Sequence, residues 1–171
     1  MSASDGREHW ELLPGAGVGA LRFKMSPADV ADALRRGGPP TQMGGPYGQE
    51  EFADGVSVFY DAGKLACIAL DAVTGPQVLL AGIALAGRDP QQAHQFLLDY
   101  AAEHGGCLLY TPDGSLALTD LGVLLRSQDV GGVRMTRPLF VKEDWLESEH
   151  YRDRLPLEGA PAAAPSPWRR A

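Results

Sequence analysis

Short stretches in which apolar and polar residues alternate predict several β-strands. Val18–Lys24 and Gly55–Tyr60 show the two-residue period of a strand. Leu65–Asp71 follows the second of these across Asp61-Ala62-Gly63-Lys64, a sequence typical of a hairpin turn. Further strands are predicted at Val78–Ala86, Cys107–Tyr110, Ser115–Leu118, Leu121–Arg126 and Val133–Thr136. The pattern indicates a largely antiparallel sheet.

Two segments predict α-helices, because each begins with a capping residue followed by proline. Ser26-Pro27 and Asp89-Pro90 both place an N-cap side chain before Pro at the first helical position. Apolar residues then recur at spacings of three and four: Val30, Ala33 and Leu34 in the first helix, and Ala93, Phe96, Leu97, Tyr100 and Ala101 in the second. Gly37-Gly38 and Gly105-Gly106 end the two helices.

The two helix starts suggest an internal repeat. Setting Ser26-Pro27 over Asp89-Pro90 also places Gly19 over Gly82, and Gly55-Val56 matches Gly122-Val123 further along. Coincidence is the alternative, because an N-cap followed by proline is a common helix start. The expected fold class is α+β: a mainly antiparallel sheet with two helices, and a duplicated strand–helix–hairpin unit as an open possibility.

Composition shifts divide the chain into one folded domain with two flexible ends. The last residues carry Pro156, Pro161, Pro165 and Pro167, which block helices and sheet ladders. The expected boundaries are a flexible N-terminus at 1–10, a domain at 11–155 with halves 11–75 and 76–141, an acidic strap at 142–154, and a disordered Pro/Ala tail at 156–171. The Gly/Pro-rich stretch Gly37–Gly48 is expected to be a loop, either functional or simply mobile.

Composition excludes several classes of protein. The chain has 171 residues, a net charge of −7 and only two cysteines. An excess of carboxylates repels nucleic acid, and no apolar run is long enough to cross a membrane. The N-terminus lacks the apolar region of a secretory signal, so a cytoplasmic protein is expected. Cys67 and Cys107 lie in apolar stretches and are expected to be buried thiols, with a disulfide left open.

The sequence contains no recognisable catalytic, metal or cofactor motif. Gly15-Ala16-Gly17-Val18-Gly19 leads into a predicted strand and not a helix, unlike a dinucleotide-binding loop. The histidines His9, His94, His104 and His150 lack the spacing of metal ligands. We therefore expect no cofactor, no metal and no catalytic residue, and the patterns favour a protein that is not an enzyme.

Two acidic clusters are the candidate binding residues. Such clusters are usually solvated surface, but each includes an aromatic residue that could anchor a basic partner. The candidates are Tyr47, Glu50, Glu51 and Asp54 in the first cluster, and Glu143, Asp144, Trp145, Glu147 and Glu149 in the second.

One segment resembles a known group of proteins. Gly19-Ala20-Leu21-Arg22-Phe23-Lys24-Met25-Ser26-Pro27-Ala28-Asp29-Val30 is similar to the opening of small uncharacterised bacterial α+β proteins, some of which look like immunity proteins that neutralise a toxin domain. In that opening a strand runs directly into a capped helix, and a hairpin follows. Lys24 stands here where the pattern usually has Gly. The resemblance implies the strand-to-helix geometry and, as a role, binding to a protein.

Three hypotheses of function follow from these observations. The first is a non-enzymatic, immunity- or inhibitor-type protein that binds a basic protein partner through an acidic surface. The second is a small-ligand-binding or enzyme domain with a pocket between sheet and helices under the Gly/Pro loop. The third is a structural component of a larger assembly that docks through Trp145 and the tail.

Overall fold

Two helices and fifteen strands are assigned in the structure, a computed structural model that describes residues 7–44, 48–106, 108–110, 115–142 and 169–170. The helices are α1 (Pro27–Ala33) and α2 (Pro90–His104). The strands are β1 (His9–Trp10), β2 (Leu12–Leu13), β3 (Gly17–Val18), β4 (Leu21–Arg22), β5 (Thr41–Gly44), β6 (Gln49–Phe52), β7 (Val56–Asp61), β8 (Lys64–Leu70), β9 (Gln77–Leu80), β10 (Ile83–Ala84), β11 (Leu108–Tyr110), β12 (Leu116–Leu118), β13 (Val123–Val130), β14 (Val133–Val141) and β15 (Arg169–Arg170). Short 3₁₀ turns lie at Arg35–Gly37, after α1, and at Thr119–Leu121, between β12 and β13.

A nine-stranded antiparallel sheet forms the centre of the described structure, in the order β15-β11-β12-β13-β14-β8-β7-β6-β5. It consists of two meanders of four strands, β5–β8 and β11–β14, which meet where β14 pairs with β8. Each meander is preceded by a helix, and each helix by a short hairpin, β3–β4 or β9–β10. The prediction of an α+β fold with a mainly antiparallel sheet is confirmed, and each half of the chain contains a short hairpin, a helix and a four-stranded meander in that order.

The two helices are also tied to the sheet in the same way. Lys24 N–H donates to Leu65 O at 2.9 Å, and Leu65 N–H donates to Met25 O at 2.8 Å. At the equivalent place in the second half, Gly87 N–H donates to Thr136 O at 2.9 Å, and Thr136 N–H donates to Arg88 O, also at 2.9 Å. Each pair of bonds fixes where a helix begins relative to a strand near the centre of the sheet.

The backbone at both junctions is left-handed. Gly87 has φ +73° and Lys24 has φ +80°. A left-handed conformation costs an L-residue with a Cβ atom on the order of 1 kcal/mol, and glycine avoids this cost. The position at which Lys24 replaces a usual Gly is therefore one where the geometry of the fold favours Gly.

Local hydrogen bonds explain the helix starts. Ser26 and Asp29 form a reciprocal capping box, in which Asp29 N–H donates to Ser26 Oγ at 3.2 Å. The carboxylate of Asp89 accepts from Gln92 N–H at 3.1 Å. Both helices begin at the proline that follows the cap, as the sequence predicts.

Buried side chains form two clusters on opposite faces of the sheet. Helix residues such as Val30 and Leu97 belong to the first cluster together with Ile68 and Phe140. The members of the second cluster all lie in strands β7, β8 and β12–β14: Phe59, Ala66, Cys67, Ala69, Ala117, Leu124, Leu139 and Val141. Both faces of the sheet are therefore largely apolar near its centre, which explains why β8 is buried at almost every position.

The structure corrects several predicted boundaries. Within the predicted flexible N-terminus 1–10, β1 pairs in parallel with β9, and the Arg7 guanidinium donates to the carbonyls of Gly75 and Ala72 at 2.9 and 3.1 Å. Val78–Ala86 is a hairpin, since Ala81 and Gly82 have positive φ and turn the chain. The Gly37–Gly48 stretch, predicted as a loop, contains β5, which pairs with β6.

The end of the chain differs in the same way. Within the predicted disordered tail 156–171, Arg169 and Arg170 form β15 and pair with Tyr110 and Leu109 of β11. The last proline is Pro167, so no residue after it lacks the N–H that a ladder needs. The remainder of the tail lies outside the described residues, as does the acidic strap 142–154 except for Lys142.

Candidate functional site

An acidic pocket of about 520 Å³ lies beside β1, the β3–β4 turn and the end of α1. Four carboxylate residues line it, Glu8, Glu11, Asp32 and Asp54, against the basic residues His9 and Arg35. The four acidic residues come from three separate parts of the chain, which only the tertiary fold brings together. The pocket therefore carries excess negative charge and favours a positively charged ligand.

Trp10 provides the large aromatic side chain in the lining of this pocket. Its backbone is held by the pairing of Trp10 with Val78, and its half-buried side chain packs against the first core cluster. Gly19 allows the indole to approach closely, because a Cβ atom at Gly19 would lie 2.5 Å from Trp10 Cδ2. The position of the ring thus depends on a glycine with φ +60° in the β3–β4 turn.

Backbone hydrogen bonds fix the acidic residues next to Trp10. Gln77 N–H donates to Glu8 O at 2.8 Å, and Gly19 N–H donates to Glu11 O at 2.9 Å. The side chains of Glu8 and Glu11 are exposed. Their backbone is thus ordered by the fold while their carboxylates remain in solvent, where holding two negative charges close together costs little.

Asp32 and Arg35, both in the pocket lining, form an ion pair with Arg35 Nη1 3.7 Å from Asp32 Oδ1. Both side chains are 80% exposed. A pair this exposed contributes at most about 1 kcal/mol to stability, so an incoming cation can compete for Asp32 at small cost.

Asp54 links the pocket to the first predicted acidic cluster. It lies in the turn after β6, and a Cβ atom at Gly37 would lie 3.2 Å from Asp54 Cγ. The 3₁₀ turn after α1 and the β6–β7 turn therefore meet here. Among the predicted binding residues that the structure describes, Asp54 is the one that lines the pocket.

Two further members of that cluster, Glu50 and Glu51, do not line the pocket. Glu50 and Glu51 are neighbours on β6, so strand alternation points them to opposite faces of the sheet. Glu50 is only 6% exposed, and it accepts hydrogen bonds from the Tyr60 hydroxyl at 2.7 Å and from Gln42 Nε2. Glu50 was predicted to contact a partner at the surface, and the structure shows it instead as a buried, hydrogen-bonded carboxylate.

The pKa of the Tyr60 hydroxyl lies above that of an ordinary tyrosine. Loss of solvent raises the pKa of the Tyr60 hydroxyl, and the hydrogen bond to Glu50 and its negative charge raise it further. Tyr60 thus remains a hydrogen-bond donor to Glu50 over the whole physiological pH range. This pair, together with Gln42, joins β5, β6 and β7 side by side.

Arginines on the second face of the sheet lie near Cys67. Arg126 and Arg137 are directly paired across β13 and β14. Burial lowers the pKa of Arg137, and the negative charge of Asp71 opposes that shift. Burial also raises the pKa of the Cys67 thiol, with a smaller opposite effect from the two arginines. A buried, protonated thiol is a poor nucleophile, so Cys67 is a structural residue.

Six of the predicted binding residues lie outside the part of the chain that the structure describes. Tyr47 and the second acidic cluster (Glu143, Asp144, Trp145, Glu147 and Glu149) lie outside the described residues, and so does Cys107. Sequence reasoning missed Glu8, Glu11 and Asp32, because each is an isolated acidic residue whose local pattern does not differ from ordinary surface.

In the part of the chain that the structure describes, no group of three His, Cys, Asp or Glu residues lies close enough to hold a metal ion. None of the helices described has the length and apolar character needed to cross a membrane.

In comparisons with known proteins, no family model, no curated protein and no solved structure matches the chain.

Proposed function

We propose that this protein binds a basic segment of a protein partner in the acidic pocket beside Trp10, as a non-enzymatic inhibitor or immunity-type protein. The observation that carries the proposal is the convergence of Glu8, Glu11, Asp32 and Asp54 around a concave surface that includes an indole ring. The resemblance of residues 19–30 to immunity-type proteins supports the same role.

The physical basis is electrostatic attraction combined with an aromatic anchor. A net charge of −7 speeds the encounter with a basic protein, and the carboxylates of the pocket orient it. An arginine or lysine side chain that reaches Trp10 gains a cation–π contact of about 0.5–1 kcal/mol at an exposed site. Because the carboxylates of the pocket are exposed, the affinity should fall as salt concentration rises.

A small cationic ligand is the second candidate. The volume of about 520 Å³ lies within the range of ligand-binding pockets. Its open, exposed and carboxylate-rich lining favours a polar cation over an apolar molecule. Parallel titrations with a hexa-arginine peptide and with arginine amide, a free guanidinium compound, separate the two candidates. A protein-binding surface binds the peptide far more tightly than arginine amide.

Charge reversal at the pocket tests the proposal. The double variant Glu8→Lys and Glu11→Lys should weaken binding of a hexa-arginine peptide at least about tenfold, since it removes two attractive charges and adds two repulsive ones. The matched control is Asp99→Lys with Glu103→Lys, two exposed residues of α2 that lie outside the pocket lining. It changes the net charge by the same amount, so a pocket site predicts a much smaller effect.

Calorimetric titration at low salt measures the affinity, and the Trp10 indole N–H resonance reports the place of binding. Trp10→Phe identifies that resonance among the three tryptophans. Equal loss of affinity in both double variants would mean that the peptide senses only overall charge, and the pocket would then have no specific role. Unchanged thermal stability of the two variants shows that both remain folded.

A further inference from the structure

The first strands of the two meanders, β11 and β5, occupy equivalent places but have different surroundings. They lie at opposite ends of the eight strands that the meanders contribute to the sheet. A short segment of the chain, β15, adds to β11 as an antiparallel strand. On the outer side of β5 no strand of the described residues pairs.

The edge of β5 is accessible. Thr41 and Gln42 are exposed, and Met43 is 50% exposed. A register shift between Gln42 and Gly44 interrupts the pairing with β6. The regular part of β5 is therefore Thr41–Gln42, which is as long as the two-residue strand that adds to β11.

Backbone geometry makes this edge a binding template. Peptide groups along an edge strand point alternately toward the neighbouring strand and away from it, so β5 has backbone donors and acceptors on its outer side that pair with no strand of the described residues. An extended peptide satisfies them by strand addition. Because β5 is short and its register is irregular, an added strand can pair with only a few of its residues. The same irregularity protects the edge against longer, nonspecific pairing.

The charges beside β5 indicate which peptide would add. Thr41 pairs with Glu51 of β6, and the same end of β6 leads into the turn with Asp54, which also lines the acidic pocket. The segment that adds to the equivalent edge has the sequence Arg169-Arg170. A basic extended segment thus meets carboxylates both beside the edge and in the adjoining pocket.

We propose that β5 binds an extended, arginine-bearing segment of the protein partner as an added antiparallel strand. The identity of the partner as basic rests on the proposed function; the strand addition itself rests on the equivalence of β5 and β11. Binding at this edge orders only a few residues of the partner, while the pocket beside Asp54 receives the basic side chains that continue past it.

Peptides with the sequence of the last five residues, Pro167–Ala171, are the probes for this site. The acetylated and amidated peptide Pro-Trp-Arg-Arg-Ala is titrated into the ¹⁵N-labelled full chain at low salt. We expect amide shifts and slower hydrogen exchange at Thr41 and Gln42. Perturbation at β11 should be small, because the tethered β15 competes there at an effective concentration in the millimolar range.

Two altered peptides separate backbone pairing from charge. N-methylation of both arginine amides removes donors without removing charge, and it should abolish the shifts at β5 while leaving those of pocket residues such as Trp10. Pro-Trp-Glu-Glu-Ala should bind at β5 at least about tenfold more weakly. Because these changes are made in the peptide, no loss of protein folding can obscure the result.

The Glu8→Lys, Glu11→Lys variant keeps the two proposals distinguishable. Strand addition predicts that its β5 shifts persist while the pocket shifts vanish. Shifts confined to the pocket in the unaltered chain would overturn strand addition and leave the proposed function standing. Shifts at β5 that survive N-methylation would also overturn it, and a concentration-dependent dimer without peptide would assign the edge to a second copy of the chain instead.

Discussion

Gln128 Nε2 donates a hydrogen bond to Asp71 Oδ1 at 2.9 Å, although the two residues lie 57 positions apart. Gln128 Oε1 also accepts from Ala72 N–H at 3.0 Å. The second carboxylate oxygen of Asp71 accepts from the N–H groups of Val73 and Thr74. A single side chain of β13 thus ties the second half of the chain to the turn that ends the first half.

The protonation of Asp71 makes this connection dependent on pH. Burial by itself would raise the pKa of Asp71, but the hydrogen bonds from Thr74, Val73 and Gln128 outweigh it and hold the pKa below its usual value. The carboxylate is therefore favoured in the folded state. Its stabilisation is complete above the unfolded pKa, near 3.8, and is lost as the pH falls through the lower folded pKa.

We predict that Asp71→Asn flattens the acid side of the stability profile. The variant should be about 1 kcal/mol less stable at pH 7, because hydrogen bonds to a charged acceptor are replaced by weaker ones. It should also lose less stability than the unaltered chain between pH 5 and pH 2. Urea unfolding at several pH values measures both effects, with Glu103→Gln on the exposed face of α2 as control. Parallel profiles for Asp71→Asn and the unaltered chain would contradict this role.

Lys24→Gly should stabilise the protein by about 0.5–1 kcal/mol. The φ of +80° strains any residue that has a Cβ atom, and the gain from relieving this strain is partly offset by the greater unfolded-state freedom of Gly. Lys24→Ala separates the conformation from the loss of the lysine side chain and should give no comparable gain. Midpoints of denaturant unfolding compare the three chains.

The equivalent position in the second half should respond in the opposite direction. Gly87→Ala introduces a Cβ atom 2.8 Å from Ala72 O at φ +73°, so both strain and a backbone clash result. We expect a loss of about 2 kcal/mol, the usual size of such backbone effects. A neutral result for Gly87→Ala would mean that this junction is softer than its hydrogen bonds with Thr136 suggest.

Tyr60→Phe should destabilise the protein by about 1–3 kcal/mol, since it leaves buried Glu50 with one donor fewer. The cost should shrink in a Glu50→Gln background, because a neutral amide is less expensive to leave partly unsatisfied. A double-mutant cycle from unfolding free energies gives the coupling between the two residues. Additive losses would show that Tyr60 acts through packing alone.

Gly19→Ala tests how the pocket depends on its glycine turn. The added methyl group would meet the Trp10 ring, so the variant should shift the Trp10 indole resonance and weaken peptide binding severalfold. Gly15→Ala is a matched control: Gly15 also has positive φ, at +73°, but a Cβ atom there contacts nothing within 4 Å. Both variants share the backbone strain, and only Gly19→Ala displaces the ring. Equal effects on binding would show that contact with Trp10 is unimportant.

Local patterns account for much of the fold. Ser26-Pro27 and Asp89-Pro90 mark the helix starts, because capping and the fixed φ of proline act within a few residues. The Asp61–Lys64 turn and the alternation before it predict the β7–β8 hairpin for the same reason. The site is different: of its four carboxylates only Asp54 was identified, since the others have no distinctive neighbours in sequence.

Caps, turns and side-chain periods depend on contacts only a few residues long, so the sequence predicts both helices, the α+β class and the β7–β8, β11–β12 and β13–β14 hairpins. Tertiary structure decided the rest. The parallel pairing of His9 with Gln77 brings Glu8 and Trp10 to the pocket. The residues of β6, Gln49–Phe52, show no apolar–polar alternation, so which of its two faces is buried depends on the strands and helices that pack against it. Tertiary packing buries Glu50 and leaves its neighbour Glu51 partly exposed.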